Sequence, residues 1–202
     1  MKIAIIGAGN VGATLGKCFA EVGHEIFYGV RDAAEYDEKV LGGKVGTNAE
    51  ACQNAEIIVL SVPFPAVEEA VKSCGNIDGK ILVDATNPLG MSENGLTLTL
   101  GFETSGGENL QKLAPNAKVI KCFNTTGFGN MAEPRNSMMF ACGNNKEATD
   151  TVTNLAASIG FDAMNIGDLA KARLLEPLAM LWIHLSFTSE LKRDFAFAIL
   201  RK

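Results

Sequence analysis

The sequence predicts an α/β fold built on a doubly wound, mainly parallel sheet with helices at its C-terminal end. Three observations carry that reading. Short apolar runs and helix-patterned stretches alternate from residue 2 to residue 166. The apolar runs are continuous, as in strands covered on both faces. The first of them passes at once into a glycine-rich turn and then into a helix pattern.

Each element has its own justification. Lys2–Ile6 is an apolar run that stops at Gly7. Residues 13–22 place Leu15, Cys18, Phe19 and Val22 at helical spacing. Gly23-His24 turns the chain into a second strand over Glu25–Gly29, and His24 reads as a turn residue rather than a catalytic one. Residues 45–46 suggest a very short third strand, after which Asn48 is expected to cap a helix starting at Ala49. Residues 57–61 form a fully apolar strand, and Pro63 and Pro65 lead into a helix over 66–73. A further strand covers 80–85. Residues 86–107 are rich in Gly, Ser, Thr and Asn and read as one long loop, a length usually tied to function. The rhythm then resumes with a helix over 107–113, strands over 118–123 and 137–142, a helix over 146–159 and a strand over 162–166. Residues 169–202 read as the final helices and carry the most apolar surface. Residues 1–167 are thus expected to form a nucleotide-binding unit and 168–202 a helical segment packed on it. Together they make one structural domain, as 202 residues suggest.

Composition excludes several classes. With 47% hydrophobic and 20% charged residues the chain has a core to pack. A net charge of −5 disfavours nucleic acid and anionic membranes as partners. The N-terminal apolar run is too short for a signal peptide, and the stretch 178–187 is about half the ~20 residues of a membrane span. Five cysteines, an odd number without a CxxC pair, suggest buried thiols in a reducing cytoplasm and no metal or disulfide framework.

The turn Gly7-Ala8-Gly9-Asn10-Val11-Gly12 is G-x-G-x-x-G between a strand and a helix. Gly7 permits the tight turn, Gly9 lets a pyrophosphate approach the backbone, and Gly12 lets the helix pack on the strand. The helix N-terminus offers free N–H groups and partial positive charge to phosphates. The second strand ends Tyr28-Gly29-Val30-Arg31-Asp32. An NAD site usually has an acid here, whereas the Arg31 guanidinium suits the 2′-phosphate of NADP. Solvent pairing of Arg31 with Asp32 or Glu35 is the alternative.

On these and further segments the chain resembles the coenzyme F420-dependent NADP oxidoreductases and their bacterial relatives, whose fold is shared with a cytoplasmic domain of transmembrane ferric reductases. The segments are Gly7 to Gly12, Gly29-Val30-Arg31, Ser61-Val62-Pro63, Asp84-Ala85-Thr86-Asn87-Pro88, Lys121-Cys122-Phe123-Asn124-Thr125-Thr126-Gly127 and Arg173-Leu174-Leu175-Glu176-Pro177-Leu178-Ala179. The resemblance implies an NADP(H) site in which Gly7, Gly9, Asn10, Val11 and Gly12 hold the pyrophosphate and Arg31 meets the 2′-phosphate. Ser61, Val62 and Pro63 line the ribose side, and Asn87 and Pro88 lie toward the nicotinamide. Val30 departs from the pattern, because relatives commonly place Ser or Thr there. Ser61, Asn87 and Asn124 each follow a strand's carboxyl end, where open α/β sheets bind ligands.

The implied reaction is hydride transfer between NADPH and a ring-type acceptor such as coenzyme F420 or a flavin. Such chemistry needs stacking and dryness more than a catalytic acid. No residue is assigned a catalytic role, and Asn124, Thr125 and Thr126 are the candidates for orienting the acceptor. Lys118, Lys121, Arg135, Lys171 and Arg173 are candidates for a basic rim toward an anionic acceptor. Two other readings stay open: a non-catalytic NADP-sensing or partner-binding module, and a reductase of imines or carbonyls with His184 or Thr125 as proton donor. The C-terminal segment is expected to pair across a homodimer and wall the acceptor pocket beside Asn124 and Met131. Covering its own sheet is the alternative.

Overall fold

The computed structural model describes residues 1–93 and 95–202. Its main sheet contains β1 (Lys2–Ile6), β2 (Glu25–Gly29), β3 (Lys44–Gly46), β4 (Ile57–Leu60), β5 (Ile81–Asp84), β8 (Lys118–Lys121), β9 (Met138–Gly143) and β10 (Asp162–Asn165). Two further strands, β6 (Leu89–Ser92) and β7 (Gly95–Leu98), form a separate antiparallel pair. The helices are α1 (Asn10–Glu21), α2 (Glu38–Leu41), α3 (Asn48–Gln53), α4 (Val67–Ser73), α5 (Gly106–Leu113), α6 (Phe128–Ala132), α7 (Lys146–Ser158) and α8 (Ala172–Thr188).

The strand order is β10-β9-β8-β5-β4-β1-β2-β3. Every pairing is parallel except β8 with β9. Successive side chains feed opposite faces. Ile3, Ile5, Ile57 and Val59 join Leu15 and Phe19 of α1 and Val152 and Leu155 of α7 in one core. Ala4, Ile6, Ile58 and Leu60 join Ala51 and Cys52 of α3, Val71 of α4 and Leu110 of α5 in the other. The continuous apolar runs therefore have the predicted cause: both faces are covered. The order reverses on either side of β1 and β4, so their carboxyl ends flank the crevice where ligands bind in this architecture.

Three expectations are corrected. Residues 86–107 are not one loop, because β6 and β7 lie within them; Asn94, also in that stretch, lies outside the described residues. Thr47, not Asn48, caps α3: its hydroxyl accepts from Glu50 N while the Glu50 carboxylate accepts from Thr47 N, so two orphan donors are satisfied at once. The final helix stops at Thr188. Beyond it, Phe195, Phe197 and Ile199 recur every second residue and are half-buried, the period of extended chain rather than helix. Phe195 stacks on Trp182 at 5.3 Å, and Phe197 O accepts from Met138 N at the start of β9. The five cysteines are free thiols. Among the described residues no helix is long and apolar enough to cross a membrane.

Candidate functional site

The glycine turn is built as its spacing demands. Gly7 sits at φ +95°, in the region that favours glycine, and its N–H donates to Gly29 O at 2.9 Å, tying β1 to the end of β2. Gly12 is needed for a close approach, since a Cβ there would lie 1.9 Å from Gly7 O and 2.5 Å from Ser61 Oγ. At Gly9 a Cβ would meet nothing within 4 Å. The first intrahelical bond of α1 is Ala13 N to Gly9 O, so the N–H groups of Asn10, Val11 and Gly12 have no carbonyl one turn back. No acid stands in the first turn of α1. These features suit a bound anion.

A cleft of about 450 Å³ opens beside this turn. It is lined by Gly9, Asn10 and Val11 from the turn, by residues 61–65 after β4, and by Ala85, Thr86, Asn87 and Leu89 after β5. Of the residues expected from sequence, Gly9, Asn10, Val11, Ser61, Val62, Pro63 and Asn87 share this cleft. Gly7 and Gly12 form the turn behind it. Phe64, Pro65, Ala85, Thr86 and Leu89 were not anticipated, although each lies just past the carboxyl end of β4 or β5.

Ser61 does more than border the cleft. Its hydroxyl lies 3.0 Å from Ile6 O and 2.9 Å from Gly7 O, stapling the glycine turn to β4. Arg31 is exposed and does not line the cleft; it stands two residues beyond Gly29. Among the described residues it makes no ion pair. Asp32 is engaged elsewhere, accepting from Ala34 N to cap a short 3-10 turn. Val30 is buried.

The Asn124 side lies deeper. Asn124 Nδ2 donates to Asn87 Oδ1 at 3.0 Å and to Leu175 O at 3.2 Å, while Asn87 Nδ2 donates to Asn124 O at 2.9 Å. Asn124 thus reaches the cleft through Asn87, and its buried Oδ1 has no hydrogen-bond partner among the described residues. Phe123, fully buried between Phe19 and Phe161, is held at φ +61°. A bulky residue in that region is strained, and such strain gathers at functional sites. Thr125 is buried against Met139 S at 3.9 Å, and Thr126 accepts from Asn130. Neither threonine lines the cleft. Pro88 lies outside it too, its carbonyl accepting from Thr99 N and Thr99 Oγ1.

The expected basic rim is not assembled. Lys121 is fully buried and bonded to Asp84 and Glu176. Arg173 grips Glu108 with two nitrogens, at 2.9 and 2.6 Å. Arg135 pairs with Glu133, and Lys171 lies 3.7 Å from Asp168. Lys118 opens β8, at the amino end of a strand whose parallel neighbours carry the cleft at their carboxyl ends. His184 is exposed on α8. That helix buries Ala172, Leu175, Glu176, Ala179, Trp182 and Ser186 against its own chain.

Comparison with known proteins agrees with this geometry. The family model described as NADP oxidoreductase, coenzyme F420-dependent, matches residues 2–88. A crystal structure from Arthrobacter sp. fb24, provisionally named an F420-dependent NADP reductase, superposes with a TM-score of 0.90 at 31% identity over 100% of both chains. The F420-dependent NADP reductase of Methanothermobacter marburgensis is 28% identical over 95% of each chain. The metalloreductase STEAP3 of Rattus norvegicus is 29% identical over 89% of this chain, which spans only 36% of that protein.

Proposed function

The chain belongs to the coenzyme F420-dependent NADP oxidoreductase family, and from that premise we propose that it passes hydride between NADPH and a ring-type acceptor, coenzyme F420 or a flavin. The observation that carries the reading is the cleft's lining. None of its twelve residues has an ionisable side chain. Reduction of an imine or carbonyl builds charge on one heteroatom and calls for a proton donor beside it. An aromatic acceptor spreads the incoming charge over its rings and needs alignment and exclusion of water instead.

The chain's residues have matching tasks in this proposal. The N–H groups of Asn10, Val11 and Gly12 hold the pyrophosphate, with Gly7 and Gly9 leaving it room. Arg31 meets the 2′-phosphate. Ser61 fixes the turn while Val62 and Pro63 border the ribose side. Asn87, braced by Asn124, stands toward the nicotinamide, with Pro88 anchoring the strand that follows. NADPH supplies the hydride when bound. Residues 1–167 carry the nucleotide site, and 168–202 pack on them as part of one domain. The outer side of α8 leaves Leu174 and Leu181 exposed two turns apart, and we assign that stripe to a second copy of the chain.

The test is NADPH oxidation, followed by nicotinamide absorbance, with F420, FMN or riboflavin as acceptor. Turnover with at least one ring acceptor is expected. NADPH binding without any turnover would favour the sensing module, and turnover only with imines or carbonyls would replace the proposal.

A further inference from the structure

The proposed transfer makes no direct use of three buried charged residues below the cleft. Asp84, Lys121 and Glu176 are 1%, 0% and 2% exposed. Asp84 ends β5 and Lys121 ends β8, side by side in the parallel register. Glu176 reaches them from α8. Lys121 Nζ has three protons and three partners: Asp84 Oδ2 at 3.0 Å, Glu176 Oε1 at 2.8 Å and Thr86 O at 2.7 Å. Asp84 Oδ1 accepts from Thr86 N at 2.9 Å and Thr86 Oγ1 at 2.7 Å. Glu176 accepts from Gly106 N at 3.1 Å and Gly107 N at 3.3 Å, at the start of α5. Burial works against the Lys121 charge, but Asp84 and Glu176 outweigh it and hold its pKa above the ordinary lysine value. The cluster has one excess negative charge, which the N-terminus of α5 offsets.

Such an arrangement is a poor device for stability alone, because well-packed apolar residues often serve as well as a buried ion pair. What it supplies is a fixed relation between separate elements. Thr86 lines the cleft and is held on both sides, at its N–H and hydroxyl by Asp84 and at its carbonyl by Lys121. The same lysine holds Glu176, one residue after the Leu175 carbonyl that receives Asn124. A Cβ at Gly106 would lie 2.9 Å from Phe64, a cleft residue, and 3.0 Å from Glu176 Oε1.

We propose that Asp84, Lys121 and Glu176 are positioning residues for the acceptor side of the cleft: the triad locks α8 to the Thr86–Asn87 segment and thereby sets where the Asn87–Asn124 amide pair stands. The proposal rests on reading the cleft as an NADPH–acceptor site.

Glu176→Ala cuts the link to α8 while leaving Lys121 paired with Asp84. The result expected is a fall in acceptor kcat of roughly tenfold or more, with NADPH affinity within about threefold of wild type because none of the triad's hydrogen bonds involves the glycine turn or Arg31. Glu176→Gln, whose single amide oxygen can still accept from Lys121 and Gly107 N but leaves Gly106 N facing an amide NH2, should recover part of the loss. Hydrogen exchange supplies a readout independent of turnover: in Glu176→Ala, residues 86–87 and 106–108 should lose protection while 7–12 do not. If Glu176→Ala does not fold, the double substitution Lys121→Met/Glu176→Gln breaks the same link but leaves Asp84 bonded to Thr86 and a side-chain amide at position 176 to accept from α5. Wild-type turnover in the folded variant, or an equal loss of NADPH affinity and turnover, overturns the proposal. If the wild-type protein shows no turnover with any ring acceptor, the functional reading fails, and unchanged exchange at 86–87 would still reject the triad's role on its own.

Discussion

The substitutions Gly9→Ala and Gly12→Ala, one turn of helix apart, should fail in opposite ways. At Gly12 the new methyl would stand 1.9 Å from Gly7 O, 2.5 Å from Ser61 Oγ and 3.0 Å from Ile5 Cγ2. Two of those neighbours cannot swing aside, because one is backbone and the other belongs to a fully buried strand residue. Overpacking costs about 1–3 kcal/mol and this contact belongs at the upper end, since α1 must lift from β1 to relieve it. For a domain of this size a loss near 3 kcal/mol lowers Tm by roughly 6–12 °C. At Gly9 the methyl meets nothing within 4 Å, and φ −72° suits any L residue. Stability should change by no more than about 0.5 kcal/mol. The methyl would nevertheless stand in the cleft that Gly9 lines, so NADPH and NADH affinity should fall together, by roughly tenfold or more. Thermal unfolding with and without NADPH separates the two effects. Ligand at a hundredfold excess over its Kd adds about 2.7 kcal/mol to wild type, and most of that increment should vanish in Gly9→Ala. A Gly12→Ala protein that melts with wild type, or a Gly9→Ala protein that keeps its NADPH shift, refutes the assignment of the turn.

Arg31→Glu should weaken NADPH roughly ten- to hundredfold, the worth of one charge-assisted contact, and leave NADH nearly unchanged; equal losses in calorimetry would remove Arg31 from the site. The Arg173 guanidinium, opposed by partial burial and helped by the Ser105 hydroxyl, holds the Glu108 carboxyl below its usual range. A depressed folded value means that this contribution is present above the unfolded carboxylate value and is lost as pH falls through the folded one. Arg173→Gln should therefore lower stability modestly at neutral pH, and the difference from wild type in denaturant unfolding should shrink on acidification. A difference that stays constant to low pH contradicts the pairing. Leu181→Lys should shift the chain toward monomer in light scattering if the α8 stripe meets a second copy, and an unchanged mass would remove that role.

The first half of the fold was legible because its signals are local. The cores of β1, β4 and β5 are continuous apolar runs, and Gly7, Gly9 and Gly12 sit where one strand must turn into one helix. Where the structure departs from expectation, the local sequence signals compete. Leu89 and Met91, and again Leu96 and Leu98, alternate with small or polar residues, the period of strands within a stretch that composition reads as a loop. Phe195, Phe197 and Ile199 alternate, yet stand close enough to pass as a helix face. Thr47-Asn48-Ala49-Glu50 is a capping box one residue earlier than the cap assigned.

The acceptor side was illegible for a different reason. Asn124, Thr125 and Thr126 are consecutive polar residues after a strand, and sequence alone presents all three as equal candidates. The positive φ at Phe123 decides among them, leaving Asn124 against Asn87 while both threonine hydroxyls turn to other partners. Lys121 likewise looks like a surface cation in a basic rim. Its partners lie 37 and 55 positions away, and Asp84 itself seems to do no more than end a strand. One signal was nevertheless available. A doubly wound order places β5 beside β8, so the last residue of one strand meets the last residue of the other, and those residues are of opposite charge. A carboxylate and an ammonium ending adjacent, fully covered strands cannot both reach solvent. They must pair, and the excess donors of the lysine must then be met by whatever element covers that edge. In this chain the element is α8, and the acceptor it brings is Glu176.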